Sequence, residues 1–479
     1  MSKKVVIIGS GIGGSSIGAL LQSKGFDVII LEKNSMLGGR YSTYIKEDEG
    51  GNKWKLDVGC HLVGNCDKGS IGKVFNKIGL SDAIKWEYAR NPRPIFYYIN
   101  QFIKFPQEIH KLGLNNEDFK NAFELLSRLN NITEEEINKL EEERVALAEF
   151  LGQYTKNSKI FSLMSFINGM YFVISPEIAS ASEWIRCQRE IQKNKSSGYP
   201  VGGTGVIPET LCNYIEREGG KVLRNTEVSK IIIENNVAKS VELKDGTIIE
   251  ADLIISNAGV KNTVNTLIDK SILDELLIKK IDSYEYSLAT IQIKVALDKK
   301  ITNQKMIMFL GEEFELSQVE DRYENIMRME VPDFHPVLFC PIISNIDPTA
   351  APEGKQLIYA GGGCPMPKDG FENKKHKRKW EEACISSLER IFPDIRDHIL
   401  WVETTTPQDI MESVDEDGCV IGIAQTKDQM GVNRPSFKLD GIDNLYFCCA
   451  DTGRTGIGGE LAANSALNLI KIIEKDFKV

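Results

Sequence analysis

Near its start, the chain alternates short apolar runs with a glycine-rich turn. Residues 4–8 (KVVII) are apolar, GSGIGG follows, and residues 15–25 (SSIGALLQSKG) carry apolar side chains at helical spacing before a glycine. A second apolar run covers residues 27–31 and ends at Glu32. This pattern predicts a strand, a turn, a helix and a second strand.

The hydrophobic pattern changes twice further along the chain. Residues 115–195 have mainly helical spacing, with EEEINKLEEER as an exposed face, and residues 285–362 are mainly typical of strands. Between them, residues 231–250 predict hairpins with turns at Asn235-Asn236 and Asp245-Gly246. NLYFCCADTG followed by TGIGGELAANSALNLI predicts another strand, glycine turn and helix near the C-terminus.

The glycines of the first turn fit a dinucleotide-binding unit. Gly9 permits the tight turn, Gly11 lets the backbone approach a pyrophosphate, and Gly14 lets the helix pack closely on the strand. The helix N-terminus supplies amide donors to the phosphates, and Glu32 can accept hydrogen bonds from ribose hydroxyls. The predicted cofactor-binding residues of this unit are Gly9, Ser10, Gly11, Ile12, Gly13, Gly14, Glu32 and Lys33.

Composition and charge narrow the class of protein. A chain of 479 residues, of which 42% are hydrophobic and only 16 are prolines, can bury the cores of two or three domains. The formal net charge of -10 argues against nucleic-acid binding, because phosphates would be repelled by the average surface. The ten cysteines include no C-x-x-C pair, and Cys448-Cys449 stand in an apolar run, so we expect buried thiols and no metal site.

The same features predict a protein of the cytoplasm. The apolar part of the N-terminal segment is too short for a signal peptide, and no cleavage site follows it. No stretch reaches about 18 consecutive apolar residues, so we expect no transmembrane helix. Peripheral contact with a membrane surface stays open. KKHKRK at 374–379 is either a lipid-binding run or, as charge runs more often are, a solvated helix face.

Further stretches resemble known flavoproteins. Gly38-Gly39-Arg40 resembles the loop of the two-domain flavoprotein superfamily that includes amine oxidases and carotenoid desaturases, which favours FAD over NAD as the cofactor. Over nearly the whole chain, the order of motifs resembles the phytoene desaturase, carotenoid isomerase and retinol saturase group. The motifs are YPVGG at 199–203, NTEV at 225–228, ADLIISNA at 251–258, NIDPTAAPEGK at 345–355, QMGVNRP at 429–435 and the C-terminal glycine turn.

The resemblance implies an α/β fold: a two-domain FAD/NAD(P)-binding, Rossmann-like flavoprotein with an interleaved α+β substrate domain. We expect the FAD domain over residues 1–66, 196–283 and 404–479, and the substrate domain over 67–195 and 284–403. It also implies that Val228 meets the adenine through its backbone, that Asp451 faces the phosphates or ribityl chain, and that the helix near Gly459 aims its amides at the flavin. The other cofactor contacts expected are Gly38, Gly39, Arg40, Ala258 and Gly458.

The chain departs from the desaturase pattern at positions that bear on catalysis. After WKLDVG it has Cys60-His61 where carotenoid desaturases usually carry Pro-Thr, and a histidine there is expected of the retinol saturase branch. His61 is predicted as an acid–base group, with loop ordering or packing on the flavin as the alternative. Glu460 is either catalytic or a carboxylate that satisfies helix N-terminal amides.

Most of the other candidate side chains have two interpretations. Arg454 either clamps a substrate carboxylate or phosphate or faces solvent, and Tyr199 is a predicted substrate contact. Cys60 either attaches the flavin or, as most cysteines do, packs as a small hydrophobe. Residues 160–174 (IFSLMSFINGMYFVI) are core residues on general grounds, and the resemblance implies that they line a tunnel for an apolar substrate.

The predicted function is hydride transfer between FAD and a C–C bond of a hydrophobic, polyene or isoprenoid-like substrate, as a desaturase or saturase. The alternatives are a redox-neutral C=C isomerase, an amine oxidase-like enzyme, and a flavin-binding assembly protein without turnover. No second G-x-G-x-x-G unit accompanies the first, so electrons are expected to pass through a transient partner such as a quinone or a nicotinamide.

Overall fold

The computed structural model describes residues 2–59, 61–311, 331–365, 374–414 and 418–477. Its strands are β1 Lys4–Ile8, β2 Asp27–Leu31, β3 Thr43–Glu47, β4 Lys53–Asp57, β5 Trp86–Tyr88, β6 Ile95–Tyr98, β7 Gln101–Ile103, β8 Gly198–Pro200, β9 Lys221–Leu223, β10 Val228–Glu234, β11 Val237–Leu243, β12 Ile248–Glu250, β13 Leu253–Ser256, β14 Ala289–Leu297, β15 Met306–Leu310, β16 Val337–Pro341, β17 Gln356–Cys364, β18 Ile399–Thr405 and β19 Leu445–Phe447.

The helices of six residues or more connect these strands. They are α1 Ile12–Gln22, α2 Ser70–Lys77, α3 Asn116–Asn131, α4 Glu134–Glu142, α5 Leu147–Gly152, α6 Ser158–Phe172, α7 Ala181–Asn194, α8 Val206–Arg217, α9 Glu275–Asp282, α10 Lys374–Ile391, α11 Pro407–Val414 and α12 Gly459–Phe477. None of the helices in the described ranges combines the length and the apolar content that crossing a bilayer requires.

A parallel sheet of five strands carries the predicted dinucleotide-binding unit. Its strand order is β19-β13-β1-β2-β9, so the N-terminal strand lies at the centre. Apart from Lys4 at its first position, β1 is buried, as expected for a strand with helices over both faces of the sheet. The Rossmann-like α/β fold is therefore confirmed. The domain boundaries stay a prediction.

Close packing holds α1 against this sheet. Residues 12–21 of α1 are all buried, and the helix packs against α8 and α12. A Cβ at Gly14 would lie 2.1 Å from the carbonyl oxygen of Gly9, so only glycine fits here. This is the close approach of helix and strand that the sequence predicts for Gly14.

The rest of the chain builds a helical layer and a larger sheet. Helices α3 to α7 fall within residues 115–195, which confirms the helical pattern of that stretch. A mainly antiparallel sheet has the strand order β18-β14-β17-β16-β15-β6-β7, with only β15 and β6 parallel. The hairpin of β10 and β11 turns at Asn235 and Asn236, whose φ angles of 51° and 64° suit a primed turn.

Candidate functional site

A cavity of about 1440 Å³ extends from the carboxyl ends of the parallel strands to the seven-stranded sheet. At one end its walls are backbone and small polar residues, and at the other they are mainly apolar side chains. Most of the predicted site residues line it, namely Gly9, Ser10, Gly11, Ile12, Gly13, Glu32, Lys33, Gly38, Gly39, Arg40, His61, Val228, Ala258, Gly458 and Gly459. The structure therefore brings together segments that are far apart in the sequence.

The polar end fits the pyrophosphate of a dinucleotide. Helix α1 begins here without a side-chain cap and without an acidic residue in its first turn, so its N-terminal amides are available to an anion. A Cβ at Gly13 would lie 2.3 Å from the carbonyl oxygen of Cys448, and one at Gly11 would lie 2.6 Å from Asn257 Oδ1. Side chains are thus excluded where the backbone must approach the phosphates closely.

Glu32 stands at the end of β2 with its carboxylate among hydrogen-bond donors. Its Oε1 accepts from the backbone N–H of Asn34 at 2.9 Å, and its Oε2 accepts from Ser10. The side chain is only 5% exposed, yet it lines the cavity. This is the position at which a carboxylate meets a ribose in dinucleotide folds.

The loop at residues 38–40 closes over the same end. Gly38 and Gly39 have φ angles of 106° and 56°, which favour glycine, and they let the backbone turn beside the cavity. The Arg40 side chain donates from Nη2 and Nε to the carbonyl oxygen of Cys419, at 2.9 and 3.3 Å. Arg40 therefore fixes the position of the Cys419 backbone while it lines the cavity.

Five predicted site residues are absent from the described cavity wall: Gly14, which packs against the turn, and Tyr199, Asp451, Arg454 and Glu460. The Asp451 carboxylate accepts from the backbone N–H groups of Val260 and Ile423, both at 2.8 Å. The Tyr199 hydroxyl donates to the buried carboxylate of Asp57. The Arg454 guanidinium stacks over the ring of Phe437 at 4.9 Å. Each of these contacts holds segments of the chain together.

Glu460 has the environment of a helix cap. Its Oε2 accepts from the backbone N–H of Ile71 at 3.1 Å, in the first turn of α2, and the side chain is 3% exposed. Burial raises the pKa of Glu460 to about 7. The carboxylate thus satisfies helix N-terminal amides, as the structural alternative requires, but the helix is α2 rather than its own.

His61 is half-buried and stands on a buried polar network. Its ring packs edge-on against Tyr359, with ring centroids 4.9 Å apart. The Tyr359 hydroxyl accepts from the backbone N–H of Asp57 at 2.9 Å, and the Asp57 carboxylate accepts from Thr43 Oγ1 at 2.6 Å and from the Thr204 N–H at 3.0 Å. This network fixes the cavity wall behind His61. Cys60 lies outside the described residues.

The other end of the cavity has mainly apolar side chains in its wall. Helix α6 supplies part of its wall, as the family resemblance implies for residues 160–174. Sequence reasoning missed the strands opposite, because their apolar residues look like ordinary core. The apolar lining includes Phe96, Leu126, Leu129, Met164, Phe166, Met170, Met306, Met308, Leu310, Val337 and Phe339.

A cationic rim, which we define as Arg90, Arg93, Lys104 and Lys195, borders the apolar end. All four residues line the cavity and are exposed. Arg90 and Arg93 share the loop between β5 and β6, whereas Lys104 and Lys195 lie in two other loops, so local sequence could reveal only part of the rim. In a chain of net charge -10, this clustering gives the outer part of the cavity a local positive charge.

Comparison with known proteins agrees with this geometry. The profile of the family described as flavin containing amine oxidoreductase matches residues 13–465. A prolycopene isomerase of Daucus carota is 27% identical over 95% of this chain and 77% of its own, and a phytoene desaturase of Fusarium fujikuroi is 26% identical over 94% and 86%. An all-trans-retinol 13,14-reductase of Rattus norvegicus is 23% identical over 84% and 74%.

A solved structure has the same fold. An oxidoreductase from Methanosarcina mazei superposes with a TM-score of 0.73 at 21% sequence identity, covering 98% of this chain and all of that one. At this identity the likeness concerns the fold alone.

Proposed function

The chain belongs to the flavin-containing amine oxidoreductase family and is an FAD-dependent oxidoreductase, and on that premise we propose that it moves hydrogen between FAD and a C–C bond of a hydrophobic, polyene or isoprenoid-like substrate. The observation that carries this proposal is the continuity of the cavity. It leads from the phosphate-binding turn directly into a chamber with apolar walls. A soluble amine would gain little from such walls, whereas a long apolar chain would lose most of its contact with water.

Residues at different parts of the cavity have different roles. The amides at the start of α1 hold the pyrophosphate, and Glu32 accepts hydrogen bonds from the ribose. When bound, FAD supplies hydride transfer at its N5 atom. The apolar residues of α6, β15 and β16 align the substrate and exclude water. His61 is a wall residue that can hold or move the second hydrogen as a proton at its ring nitrogens.

A second candidate, redox-neutral C=C isomerisation, is favoured by the similarity to prolycopene isomerases over 95% of the chain. The apolar chamber serves either reaction equally well. The two reactions differ in mass balance, because a desaturase or saturase changes the substrate by two hydrogens and an isomerase leaves its mass unchanged. Product mass therefore separates them.

The decisive experiment identifies what the purified protein carries and converts. Apolar ligands extracted from the protein would be analysed by mass spectrometry and then returned anaerobically to oxidised and reduced enzyme. We expect a polyene or isoprenoid compound whose mass changes by two hydrogens in step with the flavin absorbance. Flavin reduction by amines instead would favour the amine oxidase-like alternative. Tightly bound FAD without turnover of any extracted compound would favour an assembly protein.

The proposal includes access from a membrane surface, in the cytoplasm. Phe119 and Phe123 on α3 are 45% and 69% exposed, and Leu126, one turn further along the same face, lines the cavity. An apolar stripe thus leads from the surface into the chamber beside the cationic rim. Each lysine or arginine near an anionic leaflet contributes roughly 1 kcal/mol, and exposed aromatic rings can insert among headgroups.

Vesicle sedimentation tests this contact. We expect binding to vesicles containing phosphatidylserine, weak binding to phosphatidylcholine alone, and a loss of at least tenfold in Arg93→Glu/Lys104→Glu and in Phe119→Ser/Phe123→Ser. The control is Lys299→Glu/Lys300→Glu, which changes the same charge at two exposed positions that follow β14. Equal loss in the control, or none in the rim variants, would exclude this surface.

A further inference from the structure

The glycine turn before α12 forms the part of the cavity wall next to that helix. Ile457, Gly458 and Gly459 line the cavity, and Gly456 and Gly458 have φ angles of 127° and 53°. A turn that contains two glycines in the left-handed region has little conformational preference of its own. Its position must therefore come from contacts with the rest of the protein.

Glu183 supplies such a contact from the first turn of α7. Its Oε1 accepts from the backbone N–H of Gly456 at 2.9 Å and from Thr455 Oγ1 at 3.0 Å. On the opposite side of the same residue, Gln425 Nε2 donates to the carbonyl oxygen of Gly456 at 3.0 Å. Two side chains from distant segments thus hold both polar groups of Gly456.

The burial of Glu183 costs folding free energy, so a contribution to stability alone would not explain why a glutamate stands here. The residue is fully buried, and its Oε2 has no hydrogen-bond partner among the described residues. Burial raises the pKa of this carboxyl to about 7. A buried carboxyl with an unsatisfied oxygen costs free energy that an apolar residue in the same space would not. An apolar residue, however, would leave Gly456 and Thr455 without their acceptor.

We propose that Glu183 is a positioning residue for bound FAD: by holding Thr455 and Gly456, it fixes the direction in which the turn at 457–459 and the first amides of α12 face the flavin. Amides aimed at the flavin stabilise the negative charge that accumulates on reduction. Glu183 therefore helps to set the affinity for FAD and its reduction potential. This inference rests on FAD binding and on no assumption about the substrate.

Two substitutions of Glu183 separate position from charge. Glu183→Gln and Glu183→Ala remove the same charge, but only the glutamine keeps an oxygen that can accept from Gly456 and Thr455. We expect Glu183→Gln to bind FAD within threefold of the wild type. We expect Glu183→Ala to bind it at least tenfold more weakly than Glu183→Gln. If the alanine variant also binds reduced flavin, relative to oxidised flavin, tenfold less favourably than the glutamine variant does, its midpoint potential lies about 30 mV lower.

Two further variants test whether the effect on FAD comes from the glycine turn. Glu190 lies two turns further along α7, is partly exposed and pairs with Lys73 at 3.8 Å, so Glu190→Ala should leave both quantities unchanged. Thr455→Val removes one of the bonds to Glu183 while keeping its charge, and it should weaken FAD binding about threefold. If Glu183→Ala fails to fold, the FAD affinity of Thr455→Val tests the proposal instead.

Equal FAD affinity and potential in the alanine and glutamine variants would overturn the proposal, as would an unchanged Thr455→Val. A loss of melting temperature without any change in the flavin would do the same, since it would show a structural role only. All measurements use the holoenzyme without substrate. Their outcome is therefore independent of whether the proposed substrate class is right.

Discussion

Glu32 and Ser10, which belong to different segments of the dinucleotide-binding unit, are joined twice through one oxygen atom. The backbone N–H of Ser10 and its Oγ donate to Glu32 Oε2 at 3.0 and 2.6 Å. Ser10 Oγ accepts in turn from the backbone N–H of Gly38 at 3.0 Å. One carboxylate therefore ties the phosphate-binding turn to the end of β2 and to the loop at residues 38–40.

This connection predicts that Glu32→Ala loses both stability and cofactor. Hydrogen bonds to a buried charged group contribute about 1.5–3 kcal/mol each, so the unfolding free energy of the apoprotein should fall by roughly 3 kcal/mol. FAD affinity should fall at least tenfold, because the ribose also loses its acceptor. Denaturant unfolding and flavin fluorescence measure the two effects. A variant with wild-type FAD affinity would contradict the assignment of Glu32 to the cofactor site.

Gly11→Val should abolish FAD binding. Its side chain would occupy the space that the pyrophosphate needs, and its Cβ alone would lie 2.6 Å from Asn257 Oδ1. The flavin absorbance per protein should fall to background after purification. Gly152→Ala is a matched control, because no atom lies within 4 Å of a Cβ added there, and it should keep its flavin. Full flavin content in Gly11→Val would show that the pyrophosphate lies elsewhere.

His61→Ala should keep its FAD and lose most of its turnover. His61 lines the cavity, whereas Glu32 and Ser10 make the hydrogen bonds described for the phosphate-binding turn, and acid–base groups contribute on the order of 10² to 10⁴ in rate. The measurements are flavin content and substrate-dependent flavin reduction or oxidation on the same sample. If the variant keeps wild-type rates, His61 is not an acid–base group, and catalysis comes from the positioning of the substrate at the flavin.

Stability should fall between about pH 4.5 and pH 7. Burial raises the pKa of Glu183 and that of Glu460 to about 7, whereas an unfolded glutamate titrates near its ordinary value of 4.5. Between these values the folded state keeps protons that the unfolded state has lost, so the unfolding free energy decreases as pH rises. The loss is on the order of 3 kcal/mol for each carboxyl.

The double variant Glu183→Gln/Glu460→Gln isolates this contribution. Its unfolding free energy should change less than that of the wild type between pH 5 and pH 8, while Glu142→Gln, at an exposed position of α4, should follow the wild type. Denaturant titrations at several pH values provide the comparison. The same pH slope in the double variant and the wild type would show that neither carboxyl holds its proton in the folded state.

Local patterns predicted the nucleotide-binding unit well, because its residues act through backbone conformation. The apolar runs at residues 4–8 and 27–31 correspond to the bounds of β1 and β2, and the turn between them lines the cavity. The sequence did not predict the direction in which individual side chains point. Asp451 stands beside the glycine turn in the sequence, yet its carboxylate faces Val260 and Ile423, which no periodicity could indicate.

Roles that depend on distant partners could not be predicted at all. Glu183 contacts Gly456 across 273 positions of the chain, and nothing near Glu183 in the sequence marks it as different from other helical glutamates. The apolar wall formed by β15 and β16 has the composition of an ordinary core. Only the tertiary fold shows that part of this core lines a cavity.

The strand order of the parallel sheet has a consequence for biosynthesis. The central strand β1 is made before the other strands of this sheet, whereas β19 and the glycine turn that complete the cofactor site are made after them. A nascent chain therefore carries its phosphate-binding turn without a finished site until β19 and the glycine turn have been made. Because a ligand that binds only the folded state stabilises it, chains that have bound FAD are expected to unfold less readily than chains without it.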